Sequence, residues 1–270
     1  MPIDCAAVSA LTGNVLITGA SGGIGQAIAR AVAARGASVV LSARRVEVLE
    51  PLAAELGGRA IACDLSQREE VARLLDEAGT VEILIANAAL PASGLLTELT
   101  QEQVDRMLEV NLRAPIAMAH ALAPEMIARG HGHMVFVSSL AGKAASAASS
   151  IYSATKFGLR GFALALRTDL EPDGVGVSTV LPGFISDAGM FAEASVTLPR
   201  GVGTRTPEQV ADAVIKAIES NRAEVDVAPL PLRLGATFAG LAPGLSAKVS
   251  RRLGSDQIAT ELAAGQSNKR

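Results

Sequence analysis

Asn14-Val15-Leu16-Ile17-Thr18-Gly19-Ala20-Ser21-Gly22-Gly23-Ile24-Gly25 is the stretch on which the reading of this chain turns. A short β-favouring apolar run enters a glycine-rich turn, and a helical pattern over Ile24–Arg35 follows at once. Such a turn brings backbone N–H groups and a helix dipole against a pyrophosphate, and the missing side chains leave room for it. Ordinary tight turns also use glycine, so the triplet draws its meaning from its place after the first strand of an α/β pattern.

Outward from the turn, β-rich apolar runs alternate with longer helical-period stretches. Strands are predicted at Asn14–Thr18, Ser38–Ser42, Arg59–Cys63, Val81–Ala86, His133–Ser138, Val175–Leu181 and Glu224–Ala228. Helical stretches are predicted near Ile24–Arg35, Val46–Leu56, Gln67–Glu77, Gln101–Arg129, Tyr152–Leu170 and Pro207–Ser220. The alternation predicts an α/β fold: a single doubly wound Rossmann domain over residues 1–228, with a seven-stranded parallel sheet flanked by helices. Residues 229–270 read as an amphipathic extension ending in a polar tail. Gly36 suits a left-handed helix end, and Thr206-Pro207 with Gln209 reads as a capping box with a first-turn proline. Pro115 and Pro124 interrupt Gln101–Arg129, so two helices meeting near Asn111 are expected there rather than one straight rod.

Composition narrows the function class. With 49% hydrophobic and 19% charged residues the chain has ample apolar surface for a core. A formal net charge of −3 and a near absence of aromatic residues argue against nucleic acid as a partner and for a small molecule. The two cysteines, Cys5 and Cys63, read as free thiols of a reducing compartment. The opening Met1–Cys5 lacks the basic and apolar regions of a secretory signal, and no apolar run is long enough to span a bilayer, so a cytoplasmic location is expected.

The second strand ends in Leu41-Ser42-Ala43-Arg44-Arg45, where NAD-binding folds place a carboxylate for the ribose hydroxyls. Two guanidinium groups stand there instead, and their donor forks suit a 2′-phosphate, which points to NADP(H) with NAD(H) as the alternative. Merely solvated arginines at a helix start are the bland account. Asp64-Leu65, after the third strand, sits where an adenine contact is expected, or caps the next helix.

Tyr152 is the single tyrosine, and Lys156 follows it by four positions on one helical face, about 5–6 Å apart at Cβ. A neighbouring ammonium favours the phenolate, making the pair a plausible proton donor and acceptor for a carbonyl and alcohol couple. Such pairs are common on exposed helices; the company matters. Ser138-Ser139-Leu140-Ala141-Gly142 lies upstream at a strand's carboxyl end, where a doubly wound sheet borders its ligand crevice.

Together these elements resemble the short-chain dehydrogenase/reductase family. They occur in order: Thr18-Gly19-x-x-x-Gly23-Ile24-Gly25, Asn87-Ala88-Ala89, Asn111, Ser139, Tyr152-x-x-x-Lys156 and Pro182-Gly183. The likeness covers about residues 12–228. It implies that Tyr152 passes the proton, Ser139 hydrogen-bonds the substrate oxygen, Lys156 holds the nicotinamide ribose and lowers the tyrosine pKa, and Asn111 fixes a relay water. It also implies a cofactor lying against Gly19, Ser21, Gly22, Gly23, Ile24, Gly25, Arg44, Arg45, Asp64, Leu65, Asn87, Ala88, Tyr152, Lys156, Pro182, Gly183 and Ile185. The hydride belongs to that cofactor. A homodimer or homotetramer through Gln101–Arg129 and Tyr152–Leu170 is implied as well.

Two departures stand out: Ala86-Asn87-Ala88-Ala89 replaces the family's usual Asn-Asn-Ala-Gly, and Asp187 stands where a threonine is usual, with Ser186 as a substitute. A second glycine spacing, Gly19-x-x-Gly22-x-x-Gly25, is similar to the longer epimerase and dehydratase branch, but the short chain favours the smaller one. His131-x-His133 lacks accompanying ligands, so no metal is expected and a solvated turn accounts for it. Met190, Phe191 and Leu198 in the long stretch Phe184–Arg205 suggest a lid over an apolar substrate. Leu234, Phe238, Leu241, Leu245, Val249 and Leu253 recur at helical spacing beside Arg233, Lys248, Arg251 and Arg252, broken by Pro243-Gly244. Packing over the chain's own body or a neighbour is one account of that pattern; peripheral membrane contact is the other. The expected activity is hydride transfer between NADP(H) and a carbonyl or alcohol, and the alternative is an NADP(H)-sensing regulatory protein without turnover.

Overall fold

A computed structural model describes Leu11 and residues 13–91, 94–189 and 203–252. Seven strands form one sheet: β1 (Asn14–Thr18), β2 (Ser38–Ala43), β3 (Arg59–Ala62), β4 (Ile83–Ala86), β5 (Gly132–Val137), β6 (Val175–Pro182) and β7 (Glu224–Val227). Their spatial order is β3-β2-β1-β4-β5-β6-β7, and every pairing is parallel. The chain walks outward from β1 to β3, then crosses back to lay β4 on β1's other side. Ligands of open α/β sheets bind at that reversal, beyond the carboxyl ends of the strands.

Helices cover both faces, which is why the central strands read as unbroken apolar runs instead of alternating ones. They are α1 (Gly23–Ala33), α2 (Val46–Leu56), α3 (Arg68–Ala78), α4 (Gln101–Leu108), α5 (Ala114–Arg129), α6 (Ser150–Leu170) and α7 (Pro207–Glu219). Successive strand residues feed opposite layers. Val15 and Ile17 join Ile28, Val32, Leu49 and Val214 on the face of α1, α2 and α7. Leu16, Met134 and Phe136 join Leu74, Met118 and Leu159 on the face of α3, α5 and α6. Each such side chain contributes about 1.5–3 kcal/mol by leaving water. Phe136 and Phe162 meet edge to face, with centroids 5.7 Å apart, pinning α6 to β5.

Predicted boundaries shift by one or two residues, as frayed ends do. The capping box at Thr206 and Gln209 forms, with Pro207 in the first turn. Gly36 adopts φ +88°. A second capping box, Thr100 with Gln103, opens α4. The break near Asn111 takes a particular form: a π-helical turn over Glu109–Arg113 joins α4 to α5. Pro115 has no N–H, so the Asn111 carbonyl is denied its ordinary bond from four residues on, and the wider turn absorbs the mismatch.

Beyond β7 come α8 (Leu230–Leu241) and α9 (Pro243–Arg252), separated at the predicted Pro243. Among the described residues no helix is long and apolar enough to cross a membrane. Leu253 and the polar tail lie outside the described residues, as do Cys5, Met190, Phe191 and Leu198.

Candidate active site

The strand ends of β1, β4, β5 and β6 assemble the site. At the end of β1, Gly19 takes φ +68°, and a Cβ there would stand 2.7 Å from the Ala88 Cα. Gly25 faces the Gly19 carbonyl so closely that a Cβ could not fit between helix and turn. Gly22 is the N-cap of α1 and offers no side-chain bond, so the first N–H groups of the helix face outward from a bare turn. This is a cradle shaped for a phosphate group, and the residues present fit a dinucleotide. Across from it, the Asn87 and Ala88 N–H groups both donate to the Thr18 hydroxyl, at 3.2 and 3.3 Å. The Asn87 amide donates to the Thr18 and Gly19 carbonyls. Asn87 thus binds the β4 loop to the glycine turn even with Ala89 in the family's glycine position.

Arg44 and Arg45 are both exposed. Arg45 reaches back to the turn, its Nη2 donating to the Ser21 carbonyl at 3.3 Å. Arg44 lies near enough to Asp64 to help hold its carboxyl charged. Burial pushes Asp64 up, yet bonds from the Ser66 N–H and hydroxyl, with Arg106 and Arg44 nearby, leave it below the usual carboxylate range. Asp64 therefore has a local bonding role at the approach to α3, beside the buried Leu65.

The proton-handling groups converge between β5 and α6. Ser139 follows β5, accepts from the Ala141 N–H at 3.1 Å and donates to the Pro182 carbonyl at 3.3 Å. Tyr152, half-buried on α6, lies close enough for Ser139 to act on its phenol. Lys156, one turn on, is buried with its ammonium 5.6 Å from the Tyr152 ring centroid, and donates to the Val137 carbonyl at 3.1 Å. Burial drives the Lys156 ammonium down to about 8. Burial also raises the Tyr152 phenol above its ordinary value, against a smaller lowering from Ser139. The expected lowering of the phenol by the ammonium is thus not the dominant effect; removal from water is.

Asn111 is buried in the π turn, and both the oxygen and the nitrogen of its side-chain amide are bonded. It accepts from the Leu90 N–H at 2.7 Å and donates to the Leu90 carbonyl at 2.9 Å. This clamps the loop after β4. Gly183 donates to the Val227 carbonyl beyond the end of β6, and Ile185 is buried. Ser186 bonds the Arg205 carbonyl through its N–H at 2.8 Å and its hydroxyl at 3.3 Å, closing the neck of the stretch between them. Asp187 adopts φ +63°.

Sequence reasoning missed three supports. Ser138 donates to the Lys156 carbonyl at 3.0 Å, tying strand to helix. A Cβ on Gly142 would lie 2.8 Å from that same carbonyl, so only glycine lets the loop pass under α6. Lys143 pairs with Asp226 at 2.7 Å and Glu224 at 3.2 Å, joined by Arg160 on Glu224 and Arg233 on Asp226. The glycine was a visible signal; the ion cluster, spanning residues 143–233, had none. One expectation is corrected: His133 is no solvated turn. It is buried on β5 against the Ser178 hydroxyl at 2.8 Å, because its strand lies mid-sheet, and burial with Arg167 nearby drives it down to about 3. No metal-holding cluster occurs among the described residues.

Comparison with known proteins follows the same outline. A model of the short chain dehydrogenases matches residues 13–198. The ketoacyl reductase HetN of Nostoc sp. is 36% identical over 247 residues, covering 88% of this chain and 86% of that protein. The structure of a short-chain dehydrogenase from Sphingobium yanoikuyae in complex with NADPH superposes with a TM-score of 0.75 at 30% identity, over 88% of this chain and 95% of that one. A metagenomic short-chain oxidoreductase in complex with NADP gives 0.68 at 36% identity, over 81% and 98%.

Proposed function

This chain belongs to the short-chain dehydrogenase/reductase family, and from that premise we propose that it moves a hydride between NADP(H) and a carbonyl or secondary alcohol with an apolar body. The observation that carries the reading is the convergence of Tyr152, Ser139 and the Lys156 ammonium, which stands 5.6 Å from the Tyr152 ring centroid one helical turn on. When bound, the nicotinamide supplies the hydride.

The residues divide the remaining work. Ser139 orients the substrate oxygen toward the Tyr152 hydroxyl, which gives up its proton in reduction and takes one in oxidation. The raised phenol keeps Tyr152 protonated at neutral pH, the form that reduction needs. Lys156 holds the ribose hydroxyls with the donors that Val137 leaves over, and its nearby charge supports the phenolate once the proton has gone. Because the Asn111 amide is spent on Leu90, a relay water would be held by its main-chain carbonyl. Gly19, Ser21, Gly22, Gly23, Ile24 and Gly25 receive the pyrophosphate, and Arg44 and Arg45 the 2′-phosphate. Asp64, Leu65, Asn87 and Ala88 border the adenosine; Pro182, Gly183 and Ile185 border the nicotinamide. NADPH and NADP in the two similar structures support the cofactor choice, and the sequence of the 184–205 stretch supports the apolar substrate.

A homodimer or homotetramer through α4, α5 and α6, where Leu108 and Phe157 are exposed, belongs to the same proposal. So does a reducing, cytoplasmic setting, in which Cys63 stays a buried free thiol whose pKa burial raises to about 11.

The test is NADPH and NADH oxidation over ketones, aldehydes and acyl thioesters, with Tyr152→Phe alongside. Turnover with NADPH, lost by about 100-fold or more in the variant while NADPH still binds, is the expected result. Binding without turnover across the panel would refute it.

A further inference from the structure

An exposed apolar stripe runs the length of α8 and α9. Leu230, Leu234, Phe238, Leu241, Leu245 and Val249 are 43–82% exposed, Leu241 most of all. At about 100° per residue the four on α8 fall within an arc of about 80°, and Ala236, the buried residue of that helix, points the opposite way. The stripe is therefore a face turned outward, in contrast to the account in which the extension packs over its own body. Charge says what it meets. From Ala228 to Ser255 there is no acidic residue, while Arg233, Lys248, Arg251 and Arg252 are basic, in a chain whose net charge is −3. Arg233 and Lys248 each stand immediately before a stripe residue, at the flank of the apolar arc. In a two-fold contact of this face with itself the apolar stripes would meet, but cation would face cation, since the segment carries no acidic residue. An anionic lipid surface calls for both stripe and cations.

We propose that α8 and α9 dock on an anionic membrane surface, apolar stripe into the headgroup boundary and the cations of α9 against lipid phosphates. The surface is continuous with the candidate site. Pro229, at the start of α8, would lie 3.2 Å from a Cβ on Gly203, two residues before Arg205, and Gly240 faces the Lys143 carbonyl just past Ser139. Arg233 joins the Asp226 and Lys143 cluster, fixing α8 to that loop. Docking thus sets the entrance of the site at the lipid boundary, where an apolar substrate is concentrated. The docking itself stands whether or not the hydride-transfer reading holds.

The experiment is sedimentation of the full chain with phosphatidylcholine vesicles, with and without phosphatidylglycerol, beside size-exclusion chromatography. Binding is expected only with phosphatidylglycerol and should fall with salt. Leu241→Asp with Leu245→Asp should weaken it by about tenfold or more while melting temperature and NADPH binding hold. Should that variant misfold, Lys248→Glu, a change at an exposed cation, should still weaken binding several-fold. No sedimentation with either vesicle overturns the proposal. So does a wild-type oligomer that the double substitution splits, without vesicle binding, which assigns the stripe to a second copy.

Discussion

Lys156 is an ammonium held where water cannot reach it, and its pKa of about 8 against an ordinary 10.5 has a measurable sign. Below pH 8 both folded and unfolded chains carry the proton, and the fold bears the full burden of burying it. Between pH 8 and 10.5 the unfolded chain holds more protons, so stability rises with pH. Lys156→Met should remove that rise and stabilise the fold at neutral pH, read by urea unfolding at pH 7 and near 10. Tyr152 acts oppositely: its raised pKa keeps the folded state protonated longer and erodes stability above about pH 10. His133 governs the acid side. Neutral in the fold down to about pH 3 against an ordinary 6.5, it makes stability fall as pH drops through that window. His133→Gln should flatten that fall in acid unfolding curves.

At the level of elements, the glycine turn and the Asn111 clamp hold the cradle's two walls. Gly19→Ala sets a Cβ against Ala88 at a backbone angle disfavoured for side chains, and should abolish NADPH binding measured by fluorescence. Asn111→Leu leaves the buried Leu90 N–H and carbonyl unpaired, and should destabilise the fold by about 2–4 kcal/mol in chemical unfolding. The two differ in how visibly the sequence announced them. The turn was legible because its parts are contiguous and its glycines have a local reason. Tyr152 and Lys156 were legible for the same reason, one helical turn apart. The Asn111 clamp reaches across 21 positions to a backbone with no side-chain identity, and nothing in either segment marks the pairing. His133 was legible as the start of a strand, but its burial was not; only the partner strand, bringing Ser178 alongside, reveals a mid-sheet position.

On the scale of the whole molecule, the carboxyl ends of the strands gather the glycine cradle and the proton-handling groups, with the exposed stripe of α8 and α9 beside them. Arg44 and Arg45 stand just past the end of β2, and Arg45→Ala should narrow the preference for NADPH over NADH by about tenfold in kcat/KM, the worth of one phosphate contact. The π turn between α4 and α5 constrains the assembly in another way. Removing one residue from Glu109–Arg113 would return the junction to the ordinary helical repeat, though Pro115 would still donate no bond. It would also turn everything beyond it by about 100°, carrying Met118, Leu122 and Met126 off the sheet, or else swing Met107 out of the core on the other side. A length change that a surface helix would shrug off is therefore barred here, and the flaw persists because every repair of it is worse.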